Sequence, residues 1–250
     1  MLDFPRLQIS AVLVLALLIY WLLSSRGIAS SLLISASVIS LVWQVWLIAP
    51  YTALWKLQMI SASGCEPQGR VRFLIANVFQ GNRNAGSLLS LVRKTDPDVI
   101  LLTEMDKQWE RDVVSLKASY PATVLEPLSN TYGIGLYSRL VLKDAQVRYL
   151  VEDDIPSIRA TIALRDGSDF TMWGVHPAPP RPNSDTGPRD AALLLVAKDI
   201  AAAGDPAVVA GDLNDVAWSS TTTLFQKVSG LLDPRIGRGL YATFNANWSF

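Results

Sequence analysis

The sequence has one cysteine, Cys65, and one histidine, His176. A single Cys permits no internal disulfide. A single His with a single Cys excludes zinc fingers, HExxH proteases and Cys/His zinc hydrolases. Any metal must therefore be held mainly by carboxylate, amide and water oxygens, which favours a hard ion such as Mg²⁺, Mn²⁺ or Ca²⁺. Net charge is also missing, with 22 basic against 22 acidic side chains, so the chain is no strongly basic clamp for nucleic acid. It carries no internal repeat of 20 to 50 residues and no low-complexity tract. With half of its residues hydrophobic, it is not a disordered or collagen-like chain.

Charge is nearly absent from the first 60 residues, where only Asp3, Arg6, Arg26 and Lys56 are ionised. The remainder holds 19 basic and 21 acidic side chains, a faintly acidic body large enough for one core. Leu7 to Ser25 is 19 residues without a charge and Gly27 to Trp55 another 29. At 1.5 Å per residue the first run extends about 28 Å, enough to cross the hydrocarbon of a bilayer. Spans over about 7–25 and 29–48 are expected, the second stopped by Pro50 and followed by an aromatic cluster of Trp43, Trp46, Tyr51 and Trp55. Neither run has a polar stripe for water, as a core helix at a domain surface would. A secretory signal fits poorly, lacking a charged leader segment and running at once into a second apolar stretch. The Ala62-Ser63-Gly64-Cys65 segment lacks the Leu of a lipidation site. The organisation expected is a membrane anchor over 1–55, a Ser/Gly/Pro linker over 56–70 and a single domain over 71–250.

Past Arg70, apolar runs alternate with amphipathic stretches. Strands are predicted over Val71 to Val78, Asp98 to Thr103, Tyr132 to Ser138, Ala145 to Val151, Ser157 to Leu164, Asp169 to Val175 and Ala207 to Gly211. Helices are predicted over Ala85 to Thr95, Lys107 to Lys117, Arg189 to Ala203 and Ser219 to Val228. The pattern is that of an α/β domain with sheets covered by helices. Four apolar strands finish on a polar group: RFLIAN on Asn77, VILLTE on Glu104, TMWGVH on His176, and AVVAGDLN on Asp212 and Asn214. Such groups are costly to bury unpaired, and ligands of α/β sheets bind at strand carboxyl ends. If the chain stays extended, Asp212 and Asn214 share a face. A carboxylate from each of two strands with flanking amides suits one hard cation. Taken singly, each residue has a plain structural reading: a turn at Asp212, a helix cap at Glu104, an Asx-turn at Asn77, a loop histidine before Pro177. A nucleophilic triad of His176 with Ser138 is the other chemistry to consider, without a Gly-x-Ser-x-Gly elbow to support it. The proline-rich Pro177 to Pro188 segment reads as a stiff surface connection.

Together, ANV at Asn77, LLTE at Glu104, YGIGLYSR from Tyr132 to Arg139, GVH at His176, VVAGDLND and a Thr243-Phe244 pair resemble the endonuclease/exonuclease/phosphatase superfamily. Its bacterial members with an N-terminal membrane anchor are the nearer likeness. The resemblance implies a four-layer α/β (α+β) sandwich, two mixed β-sheets flanked by helices, and Mg²⁺- or Mn²⁺-dependent hydrolysis of a phosphate ester. It implies Glu104 as the main metal ligand with Asn77 beside it. Asp212 orients or deprotonates the attacking water, Asn214 holds that geometry and touches the phosphate, and His176 binds phosphate oxygens. Tyr132 and Arg139 are expected near the substrate.

The family pattern continues past the Thr-Phe pair with an Asp-His strand and a terminal Ser-Asp-His segment, whereas this chain stops at Phe250 without a second histidine. A chain shortened at its C-terminus is expected on that comparison. Its start at Met1, where anchored members carry preceding sequence, extends the expectation to the N-terminus. An impaired pseudoenzyme serving as a phosphate-binding or scaffold module is the alternative to an active hydrolase. The domain's slight acidity disfavours a long polyanion as substrate, although Arg139, Arg181 and Arg189 could hold a small phosphate. The expected partners are a phosphate ester and a lipid bilayer. The expected location is the bacterial inner membrane with the domain periplasmic, a sidedness drawn from the resemblance.

Overall fold

A computed structural model describes residues 3–23, 27–61, 64–180 and 186–241. The chain packs as two units, Met1–Ile60 with Val216–Thr223 and Leu232–Phe250 in one, Ser61–Asp215 with Leu224–Leu231 in the other. In the first unit, α1 (Arg6–Leu23) and α2 (Ile28–Ile48) contain no buried residue. Both are long and apolar enough to cross a membrane. They pack on each other, and Arg6 donates to the Gln44 Oε1 of α2 at 2.8 Å. A 3-10 turn at Ala49–Tyr51 follows α2, and its Pro50 cannot supply the next helical N–H. Gln58 then accepts from the Asp233 N–H at 2.6 Å and Arg238 donates to the Met59 carbonyl at 2.7 Å.

The second unit contains two four-stranded sheets. The first has the order β1 (Phe73–Asn77), β2 (Val99–Thr103), β4 (Ile134–Ser138), β3 (Ala122–Glu126). β1 runs parallel to β2, and β4 is antiparallel to both of its neighbours. The second runs β5 (Leu142–Tyr149), β6 (Pro156–Ala163), β7 (Asp169–Val175), β8 (Ala207–Gly211). Only its β7–β8 pair is parallel, and a bulge at Lys143/Gln146 interrupts β5.

Strand alternation sends successive side chains to opposite faces, and the cores follow it. Val99 and Leu101 of β2 join Ile134, Ile158, Met172 and Ala210 between the sheets. Ile100 and Leu102, one residue out of phase, face Leu88 and Val92 of α3 (Ala85–Thr95) and Trp109 of α4 (Lys107–Asp112). On the far side, Trp173 and Val175 of β7 meet Leu193, Val196 and Ile200 of α6 (Gly187–Ala203) and Phe225 of α7 (Ser220–Ser229). The result is the four-layer sandwich of helices, sheet, sheet and helices expected from the resemblance. Local signals set the helix ends: Asn84 caps α3 by accepting from the Ser87 N–H, Pro188 occupies the first turn of α6, and Gly204 at φ +69° closes it.

Three elements differ from the sequence reading. β3 was not anticipated. The expected helix Lys107 to Lys117 is divided into α4 and α5 (Leu116–Ser119), the break falling at Val113-Val114, whose branched side chains disfavour helix. β5 begins three residues earlier than expected, because the bulge, with Asp144 at φ +48°, carries the ladder past a point where alternation is lost.

Candidate active site

The two parallel strand pairs deliver the polar strand ends together. Asn77 is paired with Thr103, setting Glu104 one residue beyond it. Val175 is paired with Gly211, setting His176 and Asp212 one residue beyond in their turn. β8 contacts both β1 and β2 across the sandwich, and the two pairs close on one atom. Asn77 Nδ2 donates to Glu104 Oε1 at 2.8 Å and to Asp212 Oδ2 at 3.0 Å. Its Oδ1 accepts from the Phe79 N–H at 2.9 Å, so all three partners fix which way the amide points. The Asx-turn at Asn77 therefore exists alongside the bridge between carboxylates.

Backbone geometry is unusual where these groups emerge. Glu104 lies at φ +61°, a conformation that costs a residue with a Cβ about 1–2 kcal/mol. Its second oxygen accepts from the Gln80 N–H at 3.1 Å. Glu104 does not cap α4; Asp106 does, accepting from the Trp109 N–H at 2.8 Å. Gly211 sits at φ +138°, where a Cβ would lie 1.9 Å from the Val175 carbonyl oxygen. Only glycine lets β8 approach β7 closely enough to bring Asp212 beside His176.

His176 is 3% exposed and its Nδ1 has no hydrogen-bond partner. An unsatisfied buried polar atom costs about 1–3 kcal/mol. Burial holds the imidazole below the usual histidine range, against the opposing pull of Asp212 and Glu104. Tyr132 stands beside it, ring centroids 5.6 Å apart. Asn214 is not on an extended segment with Asp212. It lies at φ +51°, its N–H donates back to Asp212 Oδ1 at 3.1 Å, and its Nδ2 donates to the Pro177 carbonyl at 2.9 Å. The Asp-Leu-Asn turn thus braces the chain after β8 against the residue following His176. Arg189, 7% exposed, donates to the Asn214 carbonyl at 3.0 Å and pairs with Asp190 and Asp215, a role inside the protein.

Other expectations are not met at this place. Arg139 follows β4 at the end that pairs with the start of β2, four residues or about 13 Å along the strand from the Glu104 end. There it pairs with Asp96 at 2.7 Å and covers the Tyr120 ring. Ser138 is at the same end, fully buried, its Oγ bonded to the N–H and carbonyl of Leu140, so it does not form a triad with His176. Arg181, Thr243 and Phe244 lie outside the described residues. Gln80 is the contributor that sequence reasoning missed: no motif marks it, and its contact with Glu104 is made by its backbone.

Glu104 and Asp212 form no ion pair with any Lys or Arg among the described residues. Two carboxylates sharing one amide donor, without a cationic side chain, are an oxygen donor set that fits a hard cation. No cluster of three or more His, Cys, Asp or Glu side chains with metal-holding geometry occurs among the described residues. One or two carboxylates is the number Mg²⁺ commonly takes, with water and substrate oxygens completing its shell.

Comparisons with known proteins agree with the fold. Among solved structures, D. rerio TDP2 complexed with single-strand DNA product superposes with a TM-score of 0.53 at 17% identity, covering 62% of this chain and 64% of that one. Sphingomyelinase C from Streptomyces griseocarneus gives 0.53 at 12% identity, over 65% and 70%. The human Nocturnin catalytic domain with bound sulfate gives 0.53 at 16% identity, over 64% and 70%. The chain thus spans just under two thirds of the D. rerio structure, and at these identities the likeness establishes the fold alone. No curated protein matches the chain. The family model described as Endonuclease/Exonuclease/phosphatase matches residues 74–250, the stretch that builds both sheets but for Phe73 and every strand end described above, and the chain belongs to that family.

Proposed function

We propose that the protein is a membrane-anchored, Mg²⁺- or Mn²⁺-dependent phosphoesterase whose site is Asn77, Glu104, His176, Asp212 and Asn214. The observation carrying this reading is the single Asn77 amide shared by Glu104 and Asp212 beside a buried imidazole with an unpartnered nitrogen. Glu104 holds the cation, which supplies charge neutralisation on the phosphate when bound. The Asn77 oxygen is taken by the Phe79 N–H, so Asn77 acts by aligning the two carboxylates.

Both Asp212 oxygens are already held, one by the Asn214 N–H and one by Asn77. The carboxylate is thereby fixed in rotamer with lone pairs left to accept the proton of an attacking water. The water oxygen bonds to phosphorus, the ester P–O bond breaks with its electron pair passing to the leaving oxygen, and that oxygen takes a proton from solvent and departs as the alcohol. His176, whose titration burial pushes below the usual histidine range, donates a hydrogen bond to a phosphate oxygen. Asn214 keeps His176 and Asp212 in register through Pro177. Removing one such donor costs about 10²–10³ in turnover.

Residues 1–55 form the anchor, 56–70 the linker and 71–250 the catalytic domain, which is periplasmic in a bacterial inner membrane. Two apolar helices with no buried residue support the anchor. The 19 basic against 21 acidic side chains beyond residue 60 favour a small phosphate ester or a lipid headgroup over a long nucleic acid. The test is hydrolysis of bis-p-nitrophenyl phosphate by the full chain in detergent. Turnover should require Mg²⁺, stop with EDTA, and fall about 10³-fold in Glu104→Ala and Asp212→Ala with circular dichroism unchanged. A folded wild-type chain without turnover would contradict the enzyme reading and support a phosphate-binding module.

A further inference from the structure

Gln80 makes three hydrogen bonds around the site, as many as Asn77. Its N–H donates to Glu104 Oε2 at 3.1 Å. Its side-chain amide donates to the Ser129 carbonyl at 3.0 Å and accepts from the Thr131 N–H at 2.9 Å. Both capacities of the amide are thus spent on the loop that immediately precedes Tyr132, the residue whose ring flanks His176. One residue on the β1–α3 connection therefore touches the main carboxylate of the site and the loop that presents the aromatic neighbour of its imidazole.

Backbone strain is concentrated around the same residue. Phe79, Glu104 and Thr131 lie at φ +53°, +61° and +72°, and none is glycine. Phe79 precedes Gln80, Glu104 accepts from it, and Thr131 donates to it. Left-handed conformations of such residues persist only where the surroundings over-determine them, and they gather at functional sites. The turn at Phe79 aims the Gln80 N–H at Glu104. Phe79 is 65% exposed, so packing of its own ring does not account for the turn. Hydrogen bonds of Gln80 reach two of the three, Glu104 and Thr131, while Phe79 is held by the Asn77 side chain and the Asn82 N–H on either side of its own turn.

We infer that Gln80 is a positioning residue that couples the orientation of Glu104 to the placement of Tyr132 over His176. It touches no reacting atom. Its amide is a strut between two loops, so that the cation-binding carboxylate and the phosphate-binding imidazole keep a fixed spacing. The inference rests on the reading of Glu104 and His176 given above. Groups that orient metal-binding side chains typically change metal affinity or activity by about 10–100-fold when removed.

The experiment compares Gln80→Ala, Gln80→Glu and wild type, as full chains in detergent, by hydrogen exchange of the 128–132 amides, Mn²⁺ affinity, and kcat and KM on bis-p-nitrophenyl phosphate. Gln80→Ala should raise exchange in 128–132, weaken Mn²⁺ about tenfold and lower kcat/KM by a similar factor at unchanged global stability. Gln80→Glu keeps the acceptor for Thr131 but loses the donor to Ser129, and should fall between. In a Tyr132→Ala background, Gln80→Ala should cost much less in kcat/KM than it does alone, because the two act as a unit. Full additivity of the two substitutions would overturn the coupling, as would unchanged exchange and Mn²⁺ affinity in Gln80→Ala. A wild-type chain that binds Mn²⁺ but has no turnover would overturn the phosphoesterase reading; the exchange and Mn²⁺ measurements would still decide whether Gln80 couples the loop to the carboxylate.

Discussion

Replacing Gly211 with alanine isolates the backbone feature that brings His176 and Asp212 together. Two penalties combine at this position. A φ of +138° is a region nearly reserved for glycine, and holding another residue there costs about 1–3 kcal/mol. The added Cβ would also lie 1.9 Å from the Val175 carbonyl oxygen, a contact that no rotamer change relieves because the backbone fixes the Cβ and the partner is itself backbone. The end of β8 must move off β7, and the total destabilisation should reach about 3–5 kcal/mol, at the upper end for a point substitution. Gly204 supplies the control: it is also left-handed, at φ +69°, but a Cβ there meets nothing within 4 Å, so Gly204→Ala should cost only about 1–2 kcal/mol. Urea unfolding of the full chain in mild detergent, followed by near-ultraviolet circular dichroism of the buried Trp109 and Trp173, separates the two. With a slope of about 2 kcal/mol per M, the midpoint should fall by about 1.5–2.5 M for Gly211→Ala and by about 0.5–1 M for the control. Turnover should be lost only in Gly211→Ala, even in the absence of urea. Equal midpoint shifts, or full activity in Gly211→Ala, would refute the claim that close β7–β8 approach builds the site.

Further consequences concern the periphery. Arg139→Ala should leave turnover unchanged and cost at most about 1 kcal/mol, the worth of an exposed pair with Asp96 and a stacked Tyr120; loss of activity would return Arg139 to the site. The Asp106 carboxyl is held below the usual range by its bonds to Arg83 and the Trp109 N–H. Its contribution is full above the unfolded value of about 3.9 and disappears as pH falls through the lower folded value. Unfolding midpoints measured between pH 5 and 2 should therefore decline more steeply for wild type than for Asp106→Asn, and parallel curves would contradict this. Cys65 is exposed, so a membrane-impermeant maleimide should label it in intact cells once the outer membrane is permeabilised; protection until the inner membrane is lysed would reject a periplasmic domain.

The core and the strand ends were readable because alternation and polar termini are local signals. Ile100 and Leu102 go one way and Val99 and Leu101 the other, as the bare sequence requires. Sequence also identified Asn77, Glu104, His176 and Asp212 as strand-end groups, but not that one amide would join two of them, because that depends on how the sheets stack. β3, Ala122 to Glu126, was missed since it is short, lies between Pro121 and Pro127, and is half-buried throughout. Asn214 was misplaced because the two-residue period of a strand was carried past Gly211, where the chain turns left-handed. Arg139 was misplaced because adjacency to Tyr132 in sequence means opposite ends of β4 in space. Gln80 left no trace at all, because its bond to Glu104 comes from a backbone N–H that every residue except proline possesses.

The central claim is that Glu104 and Asp212, aligned by Asn77, form a site for one hard cation. Titration of the full chain with Mn²⁺, followed by electron paramagnetic resonance of the free ion, tests it without reference to any substrate. One ion should bind per wild-type chain, be displaced by Mg²⁺, and bind at least about tenfold more weakly in Glu104→Gln and in Asn77→Ala. Unaltered stoichiometry and affinity in both variants would contradict the account.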